Sequence, residues 1–134
     1  MKKDRFLELA EIWLNQAKDD LSWAKDTLDD KRYSGVCFLT QQAAEKALKA
    51  YLFSKKQRLI RTHNLERLLE KCTLFERKFL RLKRNCQVLN EFYTDTRYPD
   101  IWDRTRFNDE SLAKDALRLA EAVVKFIERN INLS

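Results

Sequence analysis

The sequence predicts an all-α fold, a four-to-five-helix up-and-down bundle in which residues 1–134 form a single domain. Apolar residues recur at three-to-four-residue steps through five segments, and the alternating pattern of a β-strand is missing from the sequence. The chain also contains only one Gly and one Pro, so its loops must be few. This composition excludes a Gly-rich phosphate loop and a Rossmann turn.

The first two predicted helices differ in the breadth of their apolar surface. The first spans about residues 4–29 and has one apolar stripe, which is typical of an amphipathic helix packed on one side. The second spans about residues 34–54 and has two overlapping apolar sets. A helix with so broad an apolar arc normally lies at the centre of a bundle or at a subunit interface.

The third and fourth predicted helices are marked by their start signals. The third covers residues 64–72, and either Thr62 or Asn64 can accept from its first free N–H groups. The fourth opens with "TLFE", where Thr73 and Glu76 have the spacing of a capping box. Its predicted core stripe consists of Phe75, Phe79, Leu82, Cys86, Leu89 and Tyr93.

The fifth predicted helix spans about residues 109–130 and follows Asn108, a good N-cap residue. Acidic residues come early in this helix and Arg129 comes late, as the helix dipole prefers. Its apolar residues form two stripes, so we expect it to be buried on two sides.

Positive charge is concentrated in residues 55–84, which contain eleven Lys and Arg against three Glu, whereas the whole chain carries +6. Within this segment Arg77, Arg81 and Arg84 are predicted to share one face of the fourth helix. Such asymmetry indicates an anion-binding or nucleic-acid-binding surface. An ordinary solvated helix face would have the same composition, and this alternative stays open.

The cysteines and the single histidine argue against a zinc site and for a reducing compartment. Cys37, Cys72 and Cys86 are irregularly spaced, and His63 alone cannot complete a zinc site with them. We therefore expect reduced packing cysteines, no metal and no cofactor. The N-terminus lacks the apolar stretch of a signal peptide, and no run approaches the ~18 apolar residues of a membrane span. A soluble cytoplasmic protein without membrane contact is expected.

The stretch "TDTRYPD" is the first candidate for a binding site. Tyr93 and Arg97 are one helical turn apart, and Tyr98 is pushed toward an extended conformation by the proline that follows it. Guanidinium groups suit phosphate and aromatic faces suit bases, so these residues, with Asp100, could hold a nucleotide. A polar helix stop would explain the same residues.

The stretch "RLIRTHNL" is the second candidate. His63 is the only imidazole in the chain, and imidazole is the side chain most easily used as a general acid or base near neutral pH. Arg58 and Arg61 lie close to it in sequence and could hold a scissile phosphate. The alternative is a polar loop residue at the start of a helix.

The motifs "YSGVCFLTQQAAEKALKAYLF", "RTHNLERLLE" and "LNEFYTDTRYPD", followed by "LAKDALRLAEAVVKFIE", together resemble the small stand-alone HEPN domain family. The name stands for the nucleotide-binding domains of higher eukaryotes and prokaryotes, and the resemblance covers about residues 7–127. It implies a helical bundle that forms homodimers and acts with a minimal nucleotidyltransferase, often in a toxin–antitoxin module. It also implies a nucleotide or RNA ligand, and the wider superfamily includes metal-independent ribonucleases.

The superfamily's ribonuclease signature is an arginine followed, after four to six residues, by a histidine. Arg58 and His63 match its letters, but they lie between the second and third helices. The resemblance places the signature of active members nearer the C-terminal helix, where this chain has Arg97 and no histidine after it.

The sequence therefore favours a nucleotide-binding or RNA-binding subunit, with its site in a groove between two motifs. One alternative is a ribonuclease in which His63 activates a 2′-hydroxyl and Arg58 or another nearby arginine stabilises the phosphorane. A second alternative is a non-catalytic dimeric interaction module. The predicted binding residues are Arg61, Asn64, Tyr93, Arg97, Tyr98 and Asp100, supported from the second helix by Gln41, Gln42 and Lys46.

Overall fold

The computed structural model describes residues 4–93 and 108–134, and within these ranges every regular element is helical. This confirms the predicted all-α bundle. The five α-helices are α1 (Arg5–Asp29), α2 (Tyr33–Ser54), α3 (Leu65–Phe75), α4 (Lys83–Asn90) and α5 (Glu110–Asn130). A 3₁₀-helix, Arg77–Leu82, connects α3 to α4.

Helix α2 lies at the centre of the bundle and packs against all four of the other α-helices. Both of its apolar sets are used, because Val36 and Ala47 from one set and Ala44 and Leu48 from the other are completely buried. The broad apolar arc thus reflects a central position within the domain. Helix α5 packs on α2, α1 and α4, which explains its double stripe.

Side chains close the free N–H groups at the starts of three helices. Asp4 caps α1 by accepting from Phe6 N at 2.7 Å. Asn64, one of the two predicted candidates, caps α3, and its Oδ1 accepts from the backbone N–H groups two and three residues later. The cap of α5 is Asp109 rather than Asn108, because the Asp109 carboxylate accepts from the N–H groups of the first turn.

The predicted start of the fourth helix is wrong. Thr73 lies inside α3, where its hydroxyl donates to the Leu69 carbonyl at 2.7 Å. Glu76 adopts an extended conformation that ends α3, and its carboxylate accepts from the Tyr51 hydroxyl at 3.4 Å. Glu76 therefore ends one helix against the core instead of completing a capping box for the next. Phe75, expected in the core stripe, is 45% exposed.

The predicted arginine face is also wrong in its geometry. Arg77 and Arg81 lie in the 3₁₀-helix, which has about three residues per turn, so a spacing of four rotates one about 120° from the other. Arg84 belongs to α4. All three side chains are exposed, so the positive charge spreads over this surface instead of forming one stripe.

The three cysteines are buried and free, which confirms that they are packing residues. Burial, reinforced by Asp109, raises the pKa of the Cys37 thiol to about 12. Burial, reinforced by Glu66, raises the pKa of Cys86 to about 12 as well. Burial also raises the pKa of Cys72, whose thiol donates to the Leu48 carbonyl at 3.7 Å.

We expect all three thiols to resist Ellman's reagent in the native protein at pH 8 and to react once the chain is unfolded in urea. Only the thiolate attacks the reagent, and a raised pKa together with burial suppresses it. Because the folded pKa of Cys37 and Cys86 lies above the unfolded value of 9.0, the stability that their neutral thiols contribute is complete below pH 9 and is lost between pH 9 and 12. Fast labelling of one native thiol would contradict this.

Candidate functional site

His63 and Tyr93 come from two different sequence motifs and meet in the structure. Their rings stack with centroids 4.2 Å apart and planes tilted by only 13°. His63 lies directly before the Asn64 cap of α3, and Tyr93 follows the end of α4. The His63 side chain remains 47% exposed, so its ring is accessible to solvent while the Tyr93 ring packs against it.

A buried carboxylate holds the imidazole from the side of α2. Glu45 lies in the middle of that helix and is only 4% exposed. Its Oε1 lies 2.9 Å from His63 Nδ1, and its Oε2 accepts from Lys49 Nζ at 2.9 Å. Gln41 Nε2 donates to the His63 carbonyl at 3.1 Å and lies 3.4 Å from Glu45 Oε1. We call Gln41, Glu45 and Lys49 the polar ladder of α2.

The polar ladder determines which nitrogen of His63 carries a proton. A carboxylate accepts hydrogen bonds, so Nδ1 must be the protonated nitrogen next to Glu45. Nε2 then keeps its lone pair in the neutral ring, and it has no hydrogen-bond partner among the described residues. The arrangement resembles the way a carboxylate orients a general base in hydrolytic enzymes.

An open cavity with a volume of ≈ 360 Å³ lies beside the stacked rings. Asn90 forms part of its wall and joins two helices, because its Oδ1 accepts from Leu65 N at 2.7 Å. Its Nδ2 donates to Asn64 Oδ1 at 3.2 Å, so the end of α4 is fixed to the start of α3. The cavity is lined by Arg61, Thr62, His63, Asn64, Asn90 and Tyr93.

Gln42 and Lys46 of α2 are predicted from the sequence to support the binding site, but neither lines the cavity. Gln42 Nε2 donates to Gln41 Oε1 at 2.7 Å and so helps to orient the ladder. Lys46 instead forms an ion pair with Asp20 of α1 at 2.8 Å. It therefore ties α1 to α2 and does not line the cavity.

Only one of the two arginines near His63 in sequence lines the same cavity as His63. Arg61 lines the same cavity as His63, whereas Arg58 lines two other clefts together with Leu59 and Ile60. The Arg58–His63 spacing thus does not bring both side chains to one cavity. Arg97, Tyr98 and Asp100 lie outside the described residues.

Neither a cluster of metal ligands nor a membrane-spanning helix is found in the described part of the chain. Within residues 4–93 and 108–134, His, Cys, Asp and Glu side chains form no group of three that could hold a metal ion. None of the helices described is long and apolar enough to cross a membrane.

The family model described as HEPN domain matches residues 10–130. The chain belongs to the HEPN domain family. TT1696 from Thermus thermophilus is 32% identical to this HEPN domain, with a TM-score of 0.79, and the match covers 90% of this chain and 96% of that one. None of the curated proteins matches the chain.

Two further solved structures share the HEPN fold with this chain. ST0689, an archaeal HEPN homologue, is 27% identical with a TM-score of 0.76, and the match covers 98% of this chain and 100% of that one. A HEPN domain protein from Thermotoga maritima is 25% identical with a TM-score of 0.71, and the match covers 87% of this chain and 94% of that one. The similarity extends over nearly the full length of each relative.

Sequence reasoning missed Glu45, Lys49 and Asn90. A signal for the first two was present, because Gln41, Glu45 and Lys49 recur at four-residue steps in a helix that is mostly apolar. Polar groups on a buried helix face need partners, and the only histidine of the chain follows shortly after that helix. No local pattern marks Asn90, whose role depends on how α4 meets α3.

We expect Glu45→Leu to lower the free energy of unfolding of this HEPN domain by about 3–5 kcal/mol, because it leaves the buried Lys49 ammonium without its carboxylate. Adding Lys49→Met to the same chain should restore most of that loss, since no charge of the pair then remains buried. Urea unfolding followed by circular dichroism measures both changes.

The matched control is Glu110→Leu, which removes a glutamate with the same i,i+4 spacing to a lysine, Lys114, on an exposed surface. Its expected cost is below about 1 kcal/mol. Equal losses for Glu45→Leu and Glu110→Leu, or no recovery in the double variant, would contradict a buried pair.

Proposed function

We propose that this HEPN domain binds a nucleotide or single-stranded RNA in the cavity beside His63 and Tyr93. The stacked ring pair is the observation that supports the proposal, because a half-exposed aromatic ring offers a planar surface on which a base can stack. Arg61 lines the same cavity and is exposed, so its guanidinium can pair with a phosphate. A base and its phosphate therefore both have partners.

The surface charge supports an anionic ligand. Residues 55–84 contain eleven Lys and Arg against three Glu, and this segment includes Arg61 and His63. A positive surface attracts a polyanion over a distance of about 10 Å at moderate salt and speeds its association. Because the attraction does not depend on sequence, we expect base stacking to supply whatever base preference exists.

The finer parts of the proposal concern residues and partners. Arg97, Tyr98 and Asp100 share a motif with Tyr93, and we propose that they contact the same ligand. We also propose that residues 1–134 act as one domain, which forms a homodimer and works with a minimal nucleotidyltransferase in a toxin–antitoxin-type module. Size-exclusion chromatography with light scattering tests the assembly, first on the chain alone and then on the chain co-expressed with a minimal nucleotidyltransferase.

Binding should depend on the stacked pair and on Arg61. We expect Tyr93→Ala and His63→Ala each to weaken binding of a fluorescein-labelled single-stranded RNA by about tenfold or more, since stacking on one aromatic ring is worth ~1–3 kcal/mol per base. Arg61→Ala should weaken binding and reduce the slope of log Kd against log salt by about one. Fluorescence anisotropy at several salt concentrations measures these effects, with AMP and ATP as competitors.

Two control variants distinguish RNA binding in the cavity from non-specific attraction of RNA to surface charge. Tyr93→Phe keeps the ring and should bind almost as tightly as the original chain. Arg118→Ala removes an exposed arginine of α5 that pairs with Asp115, and it should leave the affinity unchanged. If His63→Ala and Arg118→Ala bind RNA equally well, the cavity is not the site.

The contact between Glu45 and His63 favours a second candidate function, a metal-independent ribonuclease. Glu45 holds Nδ1 of His63 and leaves Nε2 directed elsewhere, the orientation that a general base requires. His63 Nε2 would take the proton of a 2′-hydroxyl, whose oxygen then attacks the adjacent phosphorus. The P–O5′ bond breaks, a 2′,3′-cyclic phosphate forms, and the leaving 5′-oxygen takes a proton from the protonated His63 or from water. Arg61 is the arginine that lines the same cavity and could stabilise the phosphorane.

If this chain is a ribonuclease, cleavage of a labelled RNA in excess EDTA should fall at least about a hundredfold in His63→Ala, because general base catalysis typically contributes roughly 10²–10⁴-fold. An RNA with a single 2′-deoxy nucleotide should resist cleavage at that position. Gel analysis of the products measures both. Undiminished cleavage by a folded His63→Ala protein would exclude this candidate while leaving the binding proposal intact.

A further inference from the structure

A second surface with unusual exposure lies around the C-terminal end of α3. Leu74 is 84% exposed, more than any other large apolar side chain of the described residues. Leu59, Phe75 and Leu80 are exposed by 41%, 45% and 51%. Leu74 links them, because it lines one cleft with Leu59 and Phe75 and another cleft with Leu80. We call these four side chains the apolar ridge.

The apolar ridge does not belong to the hydrophobic core of the domain. The buried face of α3 consists of Leu65, Leu68, Leu69 and Cys72, so Leu74 projects from a different face. Phe75 ends the helix, and Glu76 then turns the chain away in an extended conformation. Single exposed leucines are ordinary on protein surfaces, but a contiguous group of large apolar side chains marks an interaction site.

The larger of the two clefts beside Leu74 combines an apolar surface with positive charge. It has a volume of ≈ 450 Å³. Its cations are Lys56, Arg58 and Lys71, and none of the described acidic residues lines it. Lys56 pairs with Asp4 at 3.3 Å, whereas Arg58 and Lys71 have no ion-pair partner in residues 4–93 and 108–134. The apolar lining of this cleft consists of Leu52, Leu59, Ile60, Leu74 and Phe75.

We propose that the apolar ridge and this cleft dock an acidic amphipathic helix of a partner protein. A partner helix of this kind lays its apolar side chains into a groove at i, i+3, i+4 and i+7. Its acidic flanks would meet Arg58 and Lys71, which are available for pairing. The surface is thus complementary to both faces of such a helix: the ridge contacts the apolar face, and Arg58 and Lys71 pair with the acidic face.

Two other occupants fit the same surface less well. A second copy packed cleft to cleft would add its own Arg58 and Lys71 to an interface whose cleft no described carboxylate lines, which is repulsive. The carboxylates of Glu66 and Glu70 line the other cleft, on the Leu80 side of Leu74. Single-stranded RNA would match the charge, but three of the four ridge side chains are aliphatic. Aliphatic side chains lack the planar face on which bases stack.

The test uses a fluorescein-labelled synthetic peptide of about 18 residues, with Leu at one face of the helix and Glu at the other positions. We expect it to bind the full chain at micromolar concentration in a fluorescence anisotropy titration, and more weakly at high salt. Leu74→Ser should weaken binding by about tenfold or more, since one buried leucine contact is lost. Arg58→Ala combined with Lys71→Ala should weaken binding and reduce its salt dependence.

Matched controls distinguish binding at this surface from non-specific hydrophobic binding and from binding in the His63 cavity. Ile12→Ser replaces an apolar side chain of α1 that is 46% exposed, and it should leave peptide affinity unchanged. His63→Ala should also leave it unchanged, so this proposal can fail or succeed independently of the proposed nucleotide site. Circular dichroism verifies that each variant is folded. Methyl NMR shifts confined to Leu59, Leu74 and Leu80 would support the docking site directly.

Four results would overturn the proposal. The first is no binding of the peptide at concentrations up to about a hundred micromolar. The second is equal binding of a scrambled peptide of identical composition, which would indicate charge attraction alone. The third is an RNA oligonucleotide whose affinity, but not that of the peptide, falls in Leu74→Ser. The fourth is a dimer in light scattering that Leu74→Ser converts to a monomer, which would assign the ridge to a second copy.

Discussion

The contacts of the buried Glu45 carboxylate are the interactions on which the candidate site depends. The carboxylate lies inside the central helix and needs partners there, and it obtains them from Lys49 and from His63. The loop between α2 and α3 must therefore pass close to α2, because His63 has to reach Glu45. Gln41 binds the backbone of the same residue and fixes the loop a second time. The position of His63 is thus a consequence of satisfying a buried charge.

Much of the fold is predictable from the sequence, because the periodic spacing of apolar residues reports directly which helix faces are buried. The central role of α2 follows from its two apolar sets, and the Asn64 cap follows from residue type. The errors lie where local signals compete. Thr73 and Glu76 have the spacing of a capping box, but the Glu76 carboxylate bonds to the Tyr51 hydroxyl of α2 instead. That choice depends on a contact across 25 positions of sequence, which no local pattern contains.

The sequence predicts the residues that line the candidate site. It does not predict which side chains of α2 hold those residues in place. His63, Arg61, Asn64 and Tyr93 are expected to share a groove, and all four line one cavity. Lys46 is expected to join them because it is polar, yet it pairs with Asp20 on α1. Lys46 and Lys49 are both lysines on α2, and only their angular positions around the helix axis decide which one faces the loop. Residue type indicates that α2 contributes polar groups, whereas the packing of α1 determines which ones.

The alanines of α2 have a consequence for the entropy of the site. Ala43, Ala44, Ala47 and Ala50 are completely buried, and an alanine side chain has no rotamer freedom to lose on folding. Alanine is also the residue that most favours a helix. The long side chains of Gln41, Glu45 and Lys49 do lose rotamer freedom when fixed, and they share α2 with alanines that add no such entropic cost. Gln41 and Glu45 in turn hold His63, so a ligand of the proposed site would meet a ring whose orientation is set by the folded chain rather than on binding.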